Sequence, residues 1–169
     1  TIDTGNGRFR VYDKTIRDTR EEGYGNISVQ EVFELSSNVG MARIIYENYK
    51  NHPQDLMDRL ISMGLNKKLD VAIRGEGSPV MVYPGDKYWS GISLAMISHG
   101  YEVRLTPLQI LTFYNAVANK GRMVRPKFAQ ELRYRGKTVR YFGTEVINPS
   151  ICSSATIEKA RKMLEGVVE

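Results

Sequence analysis

The chain has 169 residues, with 24 Lys and Arg against 19 Asp and Glu, a formal charge of +5. At 41% hydrophobic and 25% charged it has the composition of a globular domain, which excludes a disordered tail, a collagen and a coiled-coil rod. The longest apolar runs, such as Leu94 to Ile97, fall far short of the roughly 18 residues a membrane helix needs, and the single cysteine, Cys152, cannot build a disulfide framework or a zinc cluster.

In chain order, the first 27 residues are polar and turn-rich. Thr4-Gly5-Asn6-Gly7 predicts a β-turn or short hairpin, after which Phe9 and Val11 alternate with Arg8, Arg10 and Tyr12 as in a half-buried strand. The period then changes. Val29, Val32 and Phe33, followed by Ala42, Ile45, Tyr46 and Tyr49, predict two helices, or one interrupted helix, joined at Ser36-Ser37-Asn38. Pro53 opens a further helix through Leu56, Leu60 and Ile61 that closes at Gly64. Residues 65–91, rich in Gly and Pro, form a long irregular stretch, which in a compact domain is more often functional than idle. Thr106-Pro107 starts the best-defined helix, with Leu108, Leu111, Tyr114 and Ala118 as its expected buried stripe before Gly121 stops it. A β-hairpin around Arg135-Gly136-Lys137 follows, with Leu132, Tyr134, Val139 and Tyr141 as candidates for one face. Ser154 is the expected cap of a last helix through Ile157, Ala160, Met163 and Leu164. The sum is an α+β domain richer in helix than in strand.

On local evidence, Ser36-Ser37-Asn38 reads first as a helix cap, because small polar side chains accept the orphan amide hydrogens of a first turn. A functional reading needs the same hydroxyl and amide groups aimed into a cleft from a rigid junction, and both readings can hold together. The flanks carry the functional one. Phe33-Glu-Leu-Ser-Ser-Asn-Val-Gly-Met-Ala-Arg-Ile44 closely resembles the S-x-N region of class B penicillin-binding proteins, the peptidoglycan D,D-transpeptidases, in their cell-division branch. The stretch Trp89 to Tyr101, Leu105-Thr-Pro-Leu-Gln109, Tyr114 to Gly121 and Val124-Arg-Pro126 is similar, in order, to the G-Y-G segment, the T-P-L-Q helix and the N-x-G turn of that family. Met163 to Glu169 resembles the helix before its K-T-G strand.

That family also uses a nucleophilic serine and lysine in S-x-x-K and a K-T-G strand. Neither motif occurs here: Ser36, Ser37 and Ser62 are followed three places on by Val39, Gly40 and Leu65, while Lys14-Thr15 continues into Ile16 and Lys137-Thr138 into Val139. The chain starts at Thr1 without a signal-peptide pattern, so residues 1–169 are expected to be the central part of a transpeptidase domain, with the other two motifs on either side. The resemblance implies serine acyl transfer between stem peptides, with Ser36 as proton relay and Asn38 as amide clamp (catalytic), and with Ser37 and Tyr101 as substrate-binding residues. It also implies β-lactam binding, partners in the division machinery including a membrane glycosyltransferase, and a place on the outer face of the bacterial cytoplasmic membrane. Glu102 stands where the second glycine of G-Y-G is usual.

Other features take ordinary readings. His99 lacks a second ligand at a motif spacing and reads as a structural histidine; His52 reads as helix-entry chemistry, and Cys152 as an inert thiol. Gly75-Glu76-Gly77 lacks the strand-to-helix setting of a phosphate loop, so no cofactor and no metal is expected. Arg133, Arg135, Lys137 and Arg140 interleave with Tyr134, Tyr141 and Phe142, a pattern that also suits single-stranded nucleic acid. At a net charge of only +5, protection of a strand edge is the preferred reading, and no nucleic-acid partner is expected. A β-lactam sensor or β-lactamase-like relative shares the motifs and stands as the nearer alternative.

Overall fold

The computed structural model describes residues 1–168 and is α+β. Strand β1 (Ile2–Asp3) pairs antiparallel with β4 (Asn26–Ile27), and between them β2 (Arg8–Val11) and β3 (Lys14–Arg17) form a hairpin. The hairpin turn lies at Tyr12-Asp13, with Tyr12 at φ +53°, rather than at the glycine-rich Thr4–Gly7. That earlier turn instead folds against residues 23–25, where the Thr4 amide donates to the Gly25 carbonyl at 2.7 Å. Phe9 and Val11 face inward as their alternation predicts.

Two helices follow, α1 (Val29–Glu34) and α2 (Asn38–Tyr49), so the interrupted pattern resolves as two. Ser28 and Glu31 close α1 with a capping box, in which the Ser28 hydroxyl accepts from the Glu31 amide while the Glu31 carboxylate accepts from the Ser28 amide. Helix α3 (Pro53–Ser62) starts on Pro53 after His52, and its chain leaves through Gly64 at φ +85°. Its buried face is Leu56 and Met57, while Leu60 and Ile61 are half-buried.

The stretch 65–91 holds one short strand, β5 (Val80–Met81), paired with β6 (Val103–Arg104). Its shape is set by polar clasps. The Glu76 carboxylate accepts from the Leu69 and Val71 amides, and Arg125 donates to the Leu69 and Asp70 carbonyls and pairs with Glu145 at 2.8 Å. Helix α4 (Ser93–Ile97), not foreseen from periodicity, follows this stretch.

Helix α5 (Pro107–Ala118) starts as expected, with a capping box between Thr106 and Gln109. Its buried stripe is not the expected one. Gln109, Thr112, Ala116 and Val117 face inward, Leu108 is half-buried, and Leu111, Tyr114 and Ala118 are exposed. A buried Gln109 is tolerable because both ends of its amide are bonded: Oε1 accepts from the Thr106 amide at 2.8 Å and Nε2 donates to the Lys67 carbonyl at 2.9 Å. Strand β7 (Met123–Val124) pairs with β10 (Val146–Asn148), and between them stands the hairpin β8 (Glu131–Tyr134) and β9 (Lys137–Tyr141). A register shift between Leu132 and Arg133 sets Leu132 opposite Arg140 and Tyr141 opposite Glu131, so the four residues expected on one face are divided. Helix α6 (Ser154–Gly166) is capped by Ser153, one residue before the serine expected, and buries Ile157.

The apolar interior has two centres. Val11, Ile16, Val39, Ala42 and Ala95 join the β2–β3 hairpin to α2 and α4, while Ala116, Val117, Met123, Ile151 and Ile157 join α5 to α6. No helix among the described residues is long and apolar enough to cross a membrane.

Candidate active site

The first apolar centre supports the junction of α1 and α2. Helix α1 ends with Ser36 in the left-handed region at φ +52°, its amide donating to the Phe33 carbonyl and the Ser37 amide donating to the Val32 carbonyl. This is the Schellman arrangement, with a serine where glycine is the usual occupant. A β-carbon in that conformation costs about 1–2 kcal/mol, which surrounding contacts must outweigh.

Those contacts come from the residue that follows β3, Asp18. Ser37 is both the last residue of the α1 ending and the N-cap of α2, its hydroxyl accepting from the Gly40 amide at 2.9 Å. The same hydroxyl donates to the Asp18 carboxylate at 3.0 Å, and the Val39 amide donates to Asp18 Oδ1 at 2.9 Å. Asp18 is 8% exposed and Ser37 only 1%. A carboxylate buried against the first turn of a helix meets orphan N–H groups and the positive end of the peptide dipoles. Gly40 completes the fit, because a β-carbon there would lie 2.6 Å from both γ-carbons of Val32.

Asn38 is half-buried, and its side-chain Nδ2 donates to the Arg17 carbonyl at 3.0 Å. The amide oxygen has no partner among the described residues, so an acceptor remains beside β3. A cleft of about 450 Å³ opens there, walled by Lys14 to Arg17 of β3, by Asn38, by Met96 of α4 and by His99 and Tyr101. Tyr101 is 60% exposed and stands edge-on to the His99 ring, with centroids 5.2 Å apart. Glu102 adopts φ +59°, so the backbone keeps a glycine-like conformation where a glutamate replaces the expected glycine.

Asn38 and Tyr101, read from separate motifs, thus line one cleft. Ser36 is exposed at the adjoining turn and is not among the cleft-lining residues. Ser37 departs from its expected role: its hydroxyl is buried and spent on Asp18 and Gly40, which makes it a structural tie rather than a substrate contact. His99 joins the cleft wall, with Nδ1 3.4 Å from the Ser98 hydroxyl, though its isolation in sequence carried no such signal. Asp18, Lys14 and Arg17 were also missed. Only the partial alternation from Phe9 onward pointed to a strand pair there, and nothing local marks Asp18 as the acceptor for a helix one motif away.

Cys152 packs beside the second apolar centre, and burial pushes its thiol above the ordinary value, consistent with an inert cysteine. No group of three or more His, Cys, Asp or Glu among the described residues could hold a metal ion.

The penicillin binding protein transpeptidase domain matches residues 1–169. Among curated proteins, PbpB of Mycobacterium tuberculosis is 30% identical over 168 residues, covering 96% of this chain and 23% of that protein. The peptidoglycan D,D-transpeptidase FtsI of Escherichia coli is 29% identical over 113 residues, covering 67% of this chain and 18% of that protein. Among solved structures, penicillin binding protein 3 of M. tuberculosis complexed with aztreonam superposes with a TM-score of 0.80 at 28% identity, covering 100% of this chain and 36% of that one. The transpeptidase domain of Burkholderia pseudomallei penicillin-binding protein 3 gives 0.78 at 26% identity, covering 99% and 46%. The chain therefore spans about a quarter of the curated relatives it matches and a third to a half of the solved ones. With the S-x-N junction, the T-P-L-Q helix and the fold all in agreement, the chain belongs to the penicillin-binding protein transpeptidase domain family, in its class B group.

Proposed function

We propose that residues 1–169 are the central part of a peptidoglycan D,D-transpeptidase domain of the cell-division type, whose nucleophilic serine and K-T-G strand lie outside these residues. The observation that carries the reading is the convergence of Asn38 and Tyr101 on one cleft beside the strained Ser36 turn. In the reaction, the serine oxygen adds to the penultimate D-Ala carbonyl of a stem peptide and a base takes its proton. The bond to the terminal D-Ala nitrogen breaks, and that amine leaves with a returned proton. An amine of a neighbouring stem then attacks the ester, forming the cross-link and restoring the serine.

Ser36 is suited to the proton relay because its hydroxyl both donates and accepts and stands outside the buried network. Asn38 is suited to orient the donor peptide, since the bond to Arg17 fixes its amide plane while leaving an oxygen and one N–H for a peptide group. Tyr101 supplies an aromatic wall. β-Lactams would acylate the same serine, as the aztreonam and ampicillin complexes of the mycobacterial relative suggest. In this reading the parent protein works on the outer face of the cytoplasmic membrane, alongside a glycosyltransferase of the division machinery.

The test uses the complete transpeptidase and a labelled penicillin. Ser36→Ala and Asn38→Ala are expected to slow acylation by about 10² or more, the scale of positioned acid-base groups, while the melting temperature moves by a few degrees. Unchanged acylation with a clear loss of stability would reduce the junction to a helix cap.

A further inference from the structure

The turn of the β2–β3 hairpin is built on a residue that local chemistry would not choose. Val11 faces Lys14 across the ladder, which leaves Tyr12 and Asp13 as a two-residue turn, and Tyr12 holds φ +53°. Glycine or asparagine is the usual occupant of that conformation, and a large side chain adopts it only under strain. Burial does not account for the tyrosine, which is 67% exposed. Its ring meets Gly91 instead. A β-carbon on Gly91 would lie 2.6 Å from Tyr12 Cζ and 2.9 Å from Cδ2, so the ring rests on bare backbone and any side chain at that position would have to push it away. Each partner adjoins one part of the cleft wall. Tyr12 and Asp13 lead directly into Lys14 to Arg17 of β3, while Gly91 precedes Ile92, the residue that opens α4, and Ile92 and Met96 both line the cleft.

We propose that Tyr12 is a positioning residue for acyl transfer: seated on Gly91, its ring ties the tip of the β2–β3 hairpin to the entry of α4 and so fixes the separation of the cleft walls that these two segments carry. The inference rests on the proposed transpeptidase function and deepens it by naming a residue that acts on the site without touching the reacting atoms. The tie works through geometry. Strand β3 reaches the Tyr12 turn at one end, and at the other the Arg17 carbonyl holds Asn38, while α4 carries Met96 and leads on to His99 and Tyr101. With the ring unseated, the hairpin and α4 still share the first apolar centre through Val11, Ile16 and Ala95, so the fold survives while the walls gain freedom at the hairpin tip. A displacement on the order of 1 Å is enough to slow a reaction that depends on oriented groups.

The experiment measures acylation by a labelled penicillin, and the melting temperature, for the complete transpeptidase carrying Tyr12→Ala, Gly91→Ala or both. Each single variant is expected to slow acylation about tenfold with the melting temperature within about 2 °C, because the lost contact is exposed and the apolar centre is untouched. The combined variant should be no slower than either, since the second change finds no contact left to break. Tyr12→Phe keeps the ring and should retain most of the rate, and Tyr88→Ala, which removes a similarly exposed tyrosine shortly before Gly91, should leave it intact. Losses that multiply to about a hundredfold in the combined variant, or that are no larger than the unfolded fraction, would overturn the proposal. An unsubstituted protein that takes no label sinks the transpeptidase reading and the positioning role with it, whereas equal labelling of every variant sinks the positioning role alone.

Discussion

The α1–α2 junction and the tip of the β8–β9 hairpin share a local feature, a non-glycine residue at positive φ: Ser36 at +52° and Arg135 at +48°. At the hairpin that conformation belongs to a two-residue turn with Gly136 at +79°, the ordinary way to match the twist of two strands. Among the described residues nothing beyond the ladder and neighbouring side chains supports it, and every residue of β9 is exposed. At the junction the same angle is held by bonds from distant sequence, Asp18 to Ser37 and Val39, and Asn38 to Arg17. Equal backbone strain thus has two meanings. In the hairpin it is turn chemistry, and at the junction it is imposed by tertiary structure.

The sharpest way to break this comparison is to cut the long-range ties. Asp18→Ala leaves the Ser37 hydroxyl and the Val39 amide without their acceptor in a buried setting, which should cost about 3 kcal/mol, or roughly 6–12 °C of melting temperature. A shift below about 2 °C by calorimetry would mean that the junction stands as independently as the hairpin.

A crossed pair of substitutions comes next. Ser37→Ala removes the α2 cap and the partner of Asp18, and should lower stability by about 1–2 kcal/mol, with acylation of the complete domain falling no further than the folded fraction. Ser36→Gly removes the strained β-carbon but frees the unfolded chain, effects of about 1 kcal/mol that offset. Its melting temperature should therefore stay within roughly 2 °C while penicillin acylation falls by about 10². If the two serines exchanged these signatures, the assignment of Ser36 to chemistry and Ser37 to structure would be reversed.

The smallest effect concerns the hairpin. The Thr138 hydroxyl, and then the Arg133 guanidinium, hold the Glu131 carboxyl below its ordinary value of 4.5. A depressed carboxylate contributes stability that is present above its unfolded value and is lost as pH falls through the lower folded value. Acidifying from about pH 6 to about pH 3 should weaken the Glu131–Thr138 contact, read as loss of cross-strand nuclear Overhauser effects, and Thr138→Val should reduce that pH dependence to the part held by Arg133. Cross-strand contacts unaltered by acid would show that the ladder alone sustains the hairpin.

Much of the molecule was legible in the residues because its causes are local. Thr106-Pro107 specifies a helix start whatever surrounds it, since the threonine oxygen and the fixed proline φ act within one turn. Arg135-Gly136 specifies a tight turn for the same reason. Ordered motifs around Ser36 and Tyr101 were enough to place the family.

Tertiary structure decided the rest. Hydrophobic counting predicts that α5 buries Leu111 and Tyr114, yet the interior receives Gln109 and Thr112, whose polar atoms find partners only once the Lys67 carbonyl and the turn at Thr106 are in place. Ser37 and Asn38 are neighbours of similar polarity, and nothing in their sequence says which points inward. Asp18, 19 residues before Ser37 and in no local pattern, draws Ser37 into the interior, while the Arg17 carbonyl holds Asn38 at the cleft. Local propensity fixes where the chain turns and where helices begin; which polar group is buried depends on a partner far along the chain, because a buried hydroxyl or carboxylate is stable only when its hydrogen bonds are complete.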